Sequence, residues 1–200
     1  MVNGTEQTIH KQTQKSITVT RSVISSFAAV DTDAELEPEG PTDRDVLIAL
    51  YDATDGDNWT NNTNWCSDKP LSEWYGVYVN EIRDENEVIY LSLSNNNLVG
   101  SLPEEIGYLV NLQGLDLDDN RLIGEIPASI GKMQQLGSLY MSGNQLTGEI
   151  PSEICDLPNL EVFKLYDNQL SGEIPSEFSN LSKLRSVSYT HLRAHETSQD

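Results

Sequence analysis

From Val88 to Lys183 the apolar and polar positions recur every 24 residues. LSLSNNNLVGSLPEEI (91–106) is followed by LDLDDNRLIGEIPASI (115–130), LYMSGNQLTGEIPSEI (139–154) and FKLYDNQLSGEIPSEF (163–178). Each unit opens with strict alternation, which predicts a short strand. Leu91 and Leu93, Leu115 and Leu117, Leu139 and Met141, and Phe163 and Leu165 all fall on one side of it. Asn96, Asn120, Asn144 and Asn168 follow, where the chain must leave the strand. The amide of each offers donors and an acceptor to backbone groups that the turn leaves unpaired, so a stacked ladder of asparagines is expected. Glycines (100, 124, 148, 172) and prolines (103, 127, 151, 175) shape the return path. Ile106, Ile130, Ile154 and Phe178 are expected to close the back of the core.

Upstream the period changes. In DRDVLIALYDAT, Val46, Leu47, Leu50 and Tyr51 share one helical face, with Thr42 as N-cap, Asp43 and Asp45 in the first turn and Gly56 as the stop. Trp59, Trp65 and Trp74 follow among Asn, Thr and Asp. An end repeat cannot bury its inner face alone, so these rings are read as sealing the core rather than as a sugar or peptide platform. Residues 1–41 are rich in Thr, Ser, Gln and Glu and read as a disordered leader and linker.

A 24-residue period carrying LxxLxLxxNxL identifies a leucine-rich repeat solenoid. The strings GDNW and WYGV, with the LxGxIP tail of each unit, resemble the N-terminal cap and repeats of plant-type leucine-rich repeat proteins across about residues 42–187. With only Cys66 near WYGV, the cap is closer to the disulfide-free microbial and algal versions. The resemblance implies an α/β solenoid with a parallel β-sheet on its concave face and a helical N-terminal cap. The expected organisation is a leader over 1–41, a cap over 42–87, four complete repeats and one partial over 88–187, and a non-native tail over 188–200. Leu184, Val187 and Tyr189 begin a fifth repeat in register, but Leu192 stands where the asparagine is due, and VSYTHLRAHET resembles translated adapter sequence. A truncated C-terminal end is therefore expected.

Charge narrows the partners. Twelve Lys and Arg stand against 32 Asp and Glu, a formal net charge of −20, which disfavours nucleic acid and anionic membranes. No apolar run is long enough to span a bilayer, so no membrane insertion is expected of this segment. Cys66 and Cys155 are expected to be two or three repeats apart, on the order of 10 Å or more at a strand spacing of ~4.8 Å, beyond disulfide reach. Four Asn-x-Ser/Thr triplets, at Asn3, Asn58, Asn61 and Asn180, favour an extracellular or cell-surface home.

Function in such a scaffold is expected on the exposed positions of the sheet. The candidate binding residues are Tyr90, Ser92, Asp116, Asp118, Asp119, Tyr140, Ser142, Lys164, Tyr166 and Asp167, with the tyrosines as rigid anchors. Asp116 and Asp118 lie two residues apart, roughly 7 Å, a spacing that glycosidases use, yet no pocket is implied that would raise either pKa. The repeats hold no histidine; His10, His191 and His195 lie in leader and tail. A cation at DLDDN (115–119) is weighed and not adopted, and TDGDN lacks the order of ligands of a calcium loop. No catalysis, cofactor or metal is expected. The reading is a binding module for a protein, peptide or glycan. The alternatives are the sensing ectodomain segment of a larger receptor kinase or repeat-bearing enzyme, and a structural or adhesive array.

Overall fold

A computed structural model describes residues 40–82 and 84–189. The expectations for the leader, Asn3, the three histidines and Leu192 lie outside the described residues. A helix, α1 (Asp43–Ala53), opens the described chain. Nine strands follow: β1 (Val77–Asn80), β2 (Asp84–Ser92), β3 (Val99–Gly100), β4 (Gly114–Asp116), β5 (Arg121–Gly124), β6 (Ser138–Tyr140), β7 (Gln145–Leu146), β8 (Val162–Lys164) and β9 (Ser186–Ser188). Among the described residues no helix is long and apolar enough to cross a membrane.

Thr42 caps α1 through a reciprocal pair with Asp45: its hydroxyl accepts from the Asp45 N–H, and its own N–H donates to Asp45 Oδ2 at 3.0 Å. Val46, Leu47 and Leu50 are buried and Tyr51 is half-buried. The stop comes earlier than expected. Thr54 is the C-cap, and Asp55, not Gly56, takes the left-handed conformation (φ 58°). Gly56 has a different task, because the Tyr51 ring lies on it; a Cβ there would sit 2.2 Å from Tyr51 Cδ2.

The tryptophans form a buried chain of rings, with Trp59 and Trp65 centroids 4.7 Å apart and Trp65 and Trp74 5.2 Å apart. Each indole N–H donates to a backbone carbonyl: Trp59 to Thr54, Trp65 to Tyr75 and Trp74 to Lys69. The guanidinium of Arg44 sits 4.9 Å from the Trp74 ring and donates to the Ser67 and Lys69 carbonyls at 2.8 and 2.7 Å. Gly76 makes the turn of WYGV possible: its φ is +76°, and a Cβ would stand 2.1 Å from the Ser92 carbonyl oxygen.

The main sheet has the order β1-β2-β4-β6-β8-β9. Leu91, Leu115, Leu139, Phe163 and Val187 form one register line across its parallel strands. All eight inward positions of the four units are buried. Ile106, Ile130 and Ile154 close the back, whereas Phe178 is only half-buried. Two features go beyond the sequence expectation. The parallel sheet is extended on one side by β1, which pairs antiparallel with β2 and so lets the cap continue the sheet. A second sheet, β3-β5-β7, forms where the chain leaves the asparagines. In the fifth unit Leu184 and Tyr189 pack against the core, while Val187 is exposed.

The asparagines join these layers. The Asn120 amide donates to the Leu93 and Leu117 carbonyls while its Oδ1 accepts the Asn96 and Leu98 N–H groups, each at 3.0 Å. Asn144 and Asn168 repeat the pattern one unit on, accepting from Leu122 and Leu146. Asn96 reaches back in the same direction, to the cap: its Oδ1 accepts the Asn61 N–H at 2.7 Å and its amide donates to the Asn61 carbonyl. The cap loop thus takes the place of a preceding repeat.

Candidate functional site

Parallel pairing aligns the outward residues of the main sheet into rows. Tyr90, Gly114, Ser138 and Val162 make one, and Ser92, Asp116, Tyr140 and Lys164 the next. Ser94, Asp118, Ser142 and Tyr166 hold the equivalent third position of their units, and Asn95, Asp119, Gly143 and Asp167 the fourth. At that fourth position every residue has positive φ, between 51° and 66°. Asn, Asp and Gly are the types that adopt this conformation most readily. Asp119 and Asp167 therefore have a conformational reason to be where they are, besides any contact they offer a ligand.

Tyrosines flank the centre of the face. The Tyr90 ring covers Gly114, where a Cβ would meet Tyr90 Cε2 at 2.0 Å. Tyr78, on the antiparallel strand β1, is exposed and meets Tyr90 edge to face at 6.0 Å. Further along, Lys164 Nζ lies 5.2 Å from the Tyr140 ring centre, and Tyr166 is exposed. A depression of about 540 Å³ opens beside Ser138 and Tyr140, bounded also by Gln113, Gln135, Glu161 and Lys183.

Between the tyrosines the face is acidic and tightly bonded. Asp116 Oδ1 accepts the Asp118 N–H at 3.2 Å, and Asp118 Oδ1 accepts the Ser142 N–H at 2.6 Å. Burial pushes the Asp118 pKa above the usual aspartate range; the Ser142 N–H opposes that shift, and the charges of Asp116 and Asp119 add to it. The expectation that nothing would raise a pKa in this pair is thus corrected at Asp118. Burial, followed by Asp116 and Tyr140, also raises the Tyr90 phenol, which remains a hydrogen-bond donor at neutral pH. Ser142 departs from the sequence reading too: it holds an outward position yet is only 1% exposed. Its hydroxyl has no hydrogen-bond partner among the described residues.

Tyr90, Ser92, Asp116, Asp118, Tyr140 and Lys164 are half-buried, and Asp119, Tyr166 and Asp167 are exposed. Tyr78 was missed. The alternation of VYVN, with Val77 and Val79 buried, carries the signal, but strand β1 belongs to the cap, outside the 24-residue period. Chemically, aromatic faces beside carboxylates suit a partner with apolar and basic side chains. Among the described residues no group of three or more His, Cys, Asp or Glu side chains is placed to hold a metal ion, DLDDN included. Cys66 is exposed, Cys155 is buried, and both are free thiols.

Comparison with known proteins places this geometry among relatives. The sequence profile of the family described as a leucine-rich repeat region matches residues 75–200. A probable leucine-rich repeat receptor-like protein kinase of Arabidopsis thaliana is 37% identical over 82 residues, which is 35% of this chain and 8% of that protein. In structure, the chain is similar to the BIR3–SERK2 complex of Arabidopsis thaliana (TM-score 0.65, 33% identity, covering 72% of this chain and 79% of that one). It is also similar to the Arabidopsis receptor kinase HAESA in complex with the peptide hormone IDA and the co-receptor SERK1 (TM-score 0.56, 26% identity, covering 76% of this chain and 30% of that one).

Proposed function

The chain belongs to the leucine-rich repeat family, and from that premise we propose that it is a non-catalytic recognition module that holds an extended peptide or protein segment against the outward face of its main sheet. One observation carries the reading: Tyr78 and Tyr90 on one side, and Tyr140 and Tyr166 on the other, border a bonded carboxylate centre. Rigid amphipathic rings supply contact area at little entropic cost, and the carboxylates give direction to a basic or amide-bearing partner. The likeness to HAESA, solved with a peptide hormone and a co-receptor, supports a peptide or a second repeat protein as ligand.

Selection of a random 12-residue peptide display library on the full chain tests this. Selected peptides should favour Lys or Arg beside aromatic residues, and Tyr90→Ala or Tyr140→Ala should each weaken them at least ~10-fold. Peptides that bind both variants as well as the parent would refute it. A second reading follows from the match to a receptor-like kinase, of which this chain spans 8%: the module is the ligand-sensing segment of a longer receptor. A longer reading frame encoding a kinase domain would favour it.

A further inference from the structure

Three of the Asn-x-Ser/Thr triplets fall among the described residues, at Asn58, Asn61 and Asn180, and the structure separates them. The modification they specify joins carbohydrate to the asparagine Nδ2. That nitrogen is a weak nucleophile, because its lone pair is delocalised into the neighbouring carbonyl. What holds Nδ2, what holds Oδ1 and where the hydroxyl two residues on is directed therefore decide how ready each triplet is.

At Asn61 the triplet is closed on itself. Asn61 Oδ1 accepts the Thr63 N–H at 3.0 Å and the Thr63 hydroxyl at 2.7 Å, the side-chain turn that asparagine forms with the residue two on. A backbone N–H can only donate, so the atom that faces it is the oxygen. Nδ2 is left over, with no hydrogen-bond partner among the described residues. Two donors on Oδ1 polarise the amide and favour loss of an Nδ2 proton. The backbone of Asn61 is held separately, its N–H and carbonyl both bonded to the Asn96 side chain at 2.7 and 3.0 Å. A sugar on Nδ2 thus costs the cap no hydrogen bond.

Asn58 is the more exposed residue, yet its nitrogen is taken. Its Nδ2 donates to both carboxylate oxygens of Asp55, at 2.9 and 3.1 Å. Its triplet also cannot close in the same way, because the Thr60 N–H goes to the Asn96 carbonyl at 2.9 Å and the middle residue, Trp59, is buried. At Asn180 the Ser182 N–H goes to the backbone carbonyl of Asn180, at 2.8 Å, and not to its side chain. The contacts that favour Asn61 and withhold Asn58 span two and three residues, so they are open to the chain before its repeats have stacked.

We propose that Asn61 is the N-glycosylation site of the cap, in preference to Asn58 three residues before it, when the chain passes through a glycosylating secretory route. The donor is an oligosaccharide carried on a lipid pyrophosphate. A bond forms between Asn61 Nδ2 and the anomeric carbon as the bond from that carbon to the pyrophosphate oxygen breaks. The electron pair leaves with the lipid pyrophosphate, and Nδ2 gives up one proton. The glycan then stands beside the first step of the asparagine ladder, on a backbone that Asn96 already holds.

The full chain, led by a secretion signal and recovered from the medium of a eukaryotic host, tests this. Enzymatic release of N-glycans in heavy-oxygen water marks each occupied asparagine as labelled aspartate, which peptide mass spectrometry locates. Label at Asn61 with Asn58 unlabelled is the expected result. Thr63→Ala should abolish the label in the cap, whereas Thr60→Ala should leave it on Asn61. Asp55→Gly removes the carboxylate at a left-handed position (φ 58°) where glycine is unstrained; combined with Thr63→Ala, it should bring label to Asn58. Label at Asn58 in the parent chain, or at neither residue, would overturn the proposal. So would label passing to Asn58 in Thr63→Ala alone. The parent chain by itself decides between the two asparagines, so the outcome does not hang on any variant folding.

Discussion

Replacing Asn144 by alanine removes four hydrogen bonds but strands chiefly one group. The Asn144 amide donates to the carbonyls of Leu117, Met141 and Ser142, and its Oδ1 accepts the Leu122 N–H at 3.0 Å. Each carbonyl keeps another donor: Asn120 still serves Leu117, Asn168 still serves Met141, and the Asp119 N–H still serves Ser142. The buried Leu122 N–H loses the oxygen that faced it. A buried donor left unsatisfied costs ~1–3 kcal/mol, so a loss of about 2 kcal/mol, or roughly 4–8 °C in melting temperature for a chain of this size, is expected. Asn120→Ala should cost more. Its Oδ1 accepts two N–H groups, from Asn96 and Leu98, and the Leu93 carbonyl receives no amide from Asn96, which turns to Asn61 instead. Thermal melts of the two variants, with amide exchange read at Leu122 and Leu98, check the order. Equal or inverted costs, or a Leu122 amide exchanging no faster in Asn144→Ala, would refute the shared-acceptor reasoning.

Gly76→Ala must place a Cβ at φ +76° against the Ser92 carbonyl, and a loss of at least ~2 kcal/mol in chemical denaturation is expected; a loss under ~0.5 kcal/mol would show that the turn relaxes. Because the folded state raises the Asp118 pKa, it disfavours the ionised form, so this group's contribution to stability falls as pH rises from the ordinary value of 3.8 through the folded one. Asp118→Asn should therefore raise the melting temperature at pH 7, and the difference should vanish below about pH 3.8; a difference independent of pH would contradict the assigned shift. Thiol alkylation read by mass spectrometry at about pH 8 should modify exposed Cys66 and leave Cys155 intact until denaturant is added, since burial and three neighbouring carboxylates hold the Cys155 thiol at about 11.

The repeat was legible because it is written redundantly. Four copies of LxL followed by Asn place the inward residues, the strand and the turn without any knowledge of contacts. The cap was legible only in part. Thr42 and the apolar face of α1 are local signals, but the clamp between Asn96 and Asn61 joins residues 35 apart, and Asn61 lies outside the period. The left-handed position before each ladder asparagine was present in the sequence as Asn95, Asp119, Gly143 and Asp167, and read conformationally it would have separated turn chemistry from recognition chemistry. Tyr78 escaped for the same reason as strand β1: it occurs once. Burial of the outward Ser142, and of the carboxylate that accepts its N–H, depends on how side chains 24 residues apart lie over one another, which alternation cannot express. The glutamate of GEIP draws notice only once it is seen stacked on the next unit's glycine, as Glu125 is on Gly148 and Glu149 on Gly172.

The central claim is that recognition occurs on the sheet face. Hydrogen exchange by mass spectrometry, comparing the full chain alone with the chain saturated by a display-selected peptide, tests it directly. Protection concentrated in segments 88–95, 112–119, 136–143 and 160–167 is the predicted result. Protection confined to 124–129, 148–153 and 172–177, with the sheet segments exchanging as before, would contradict it.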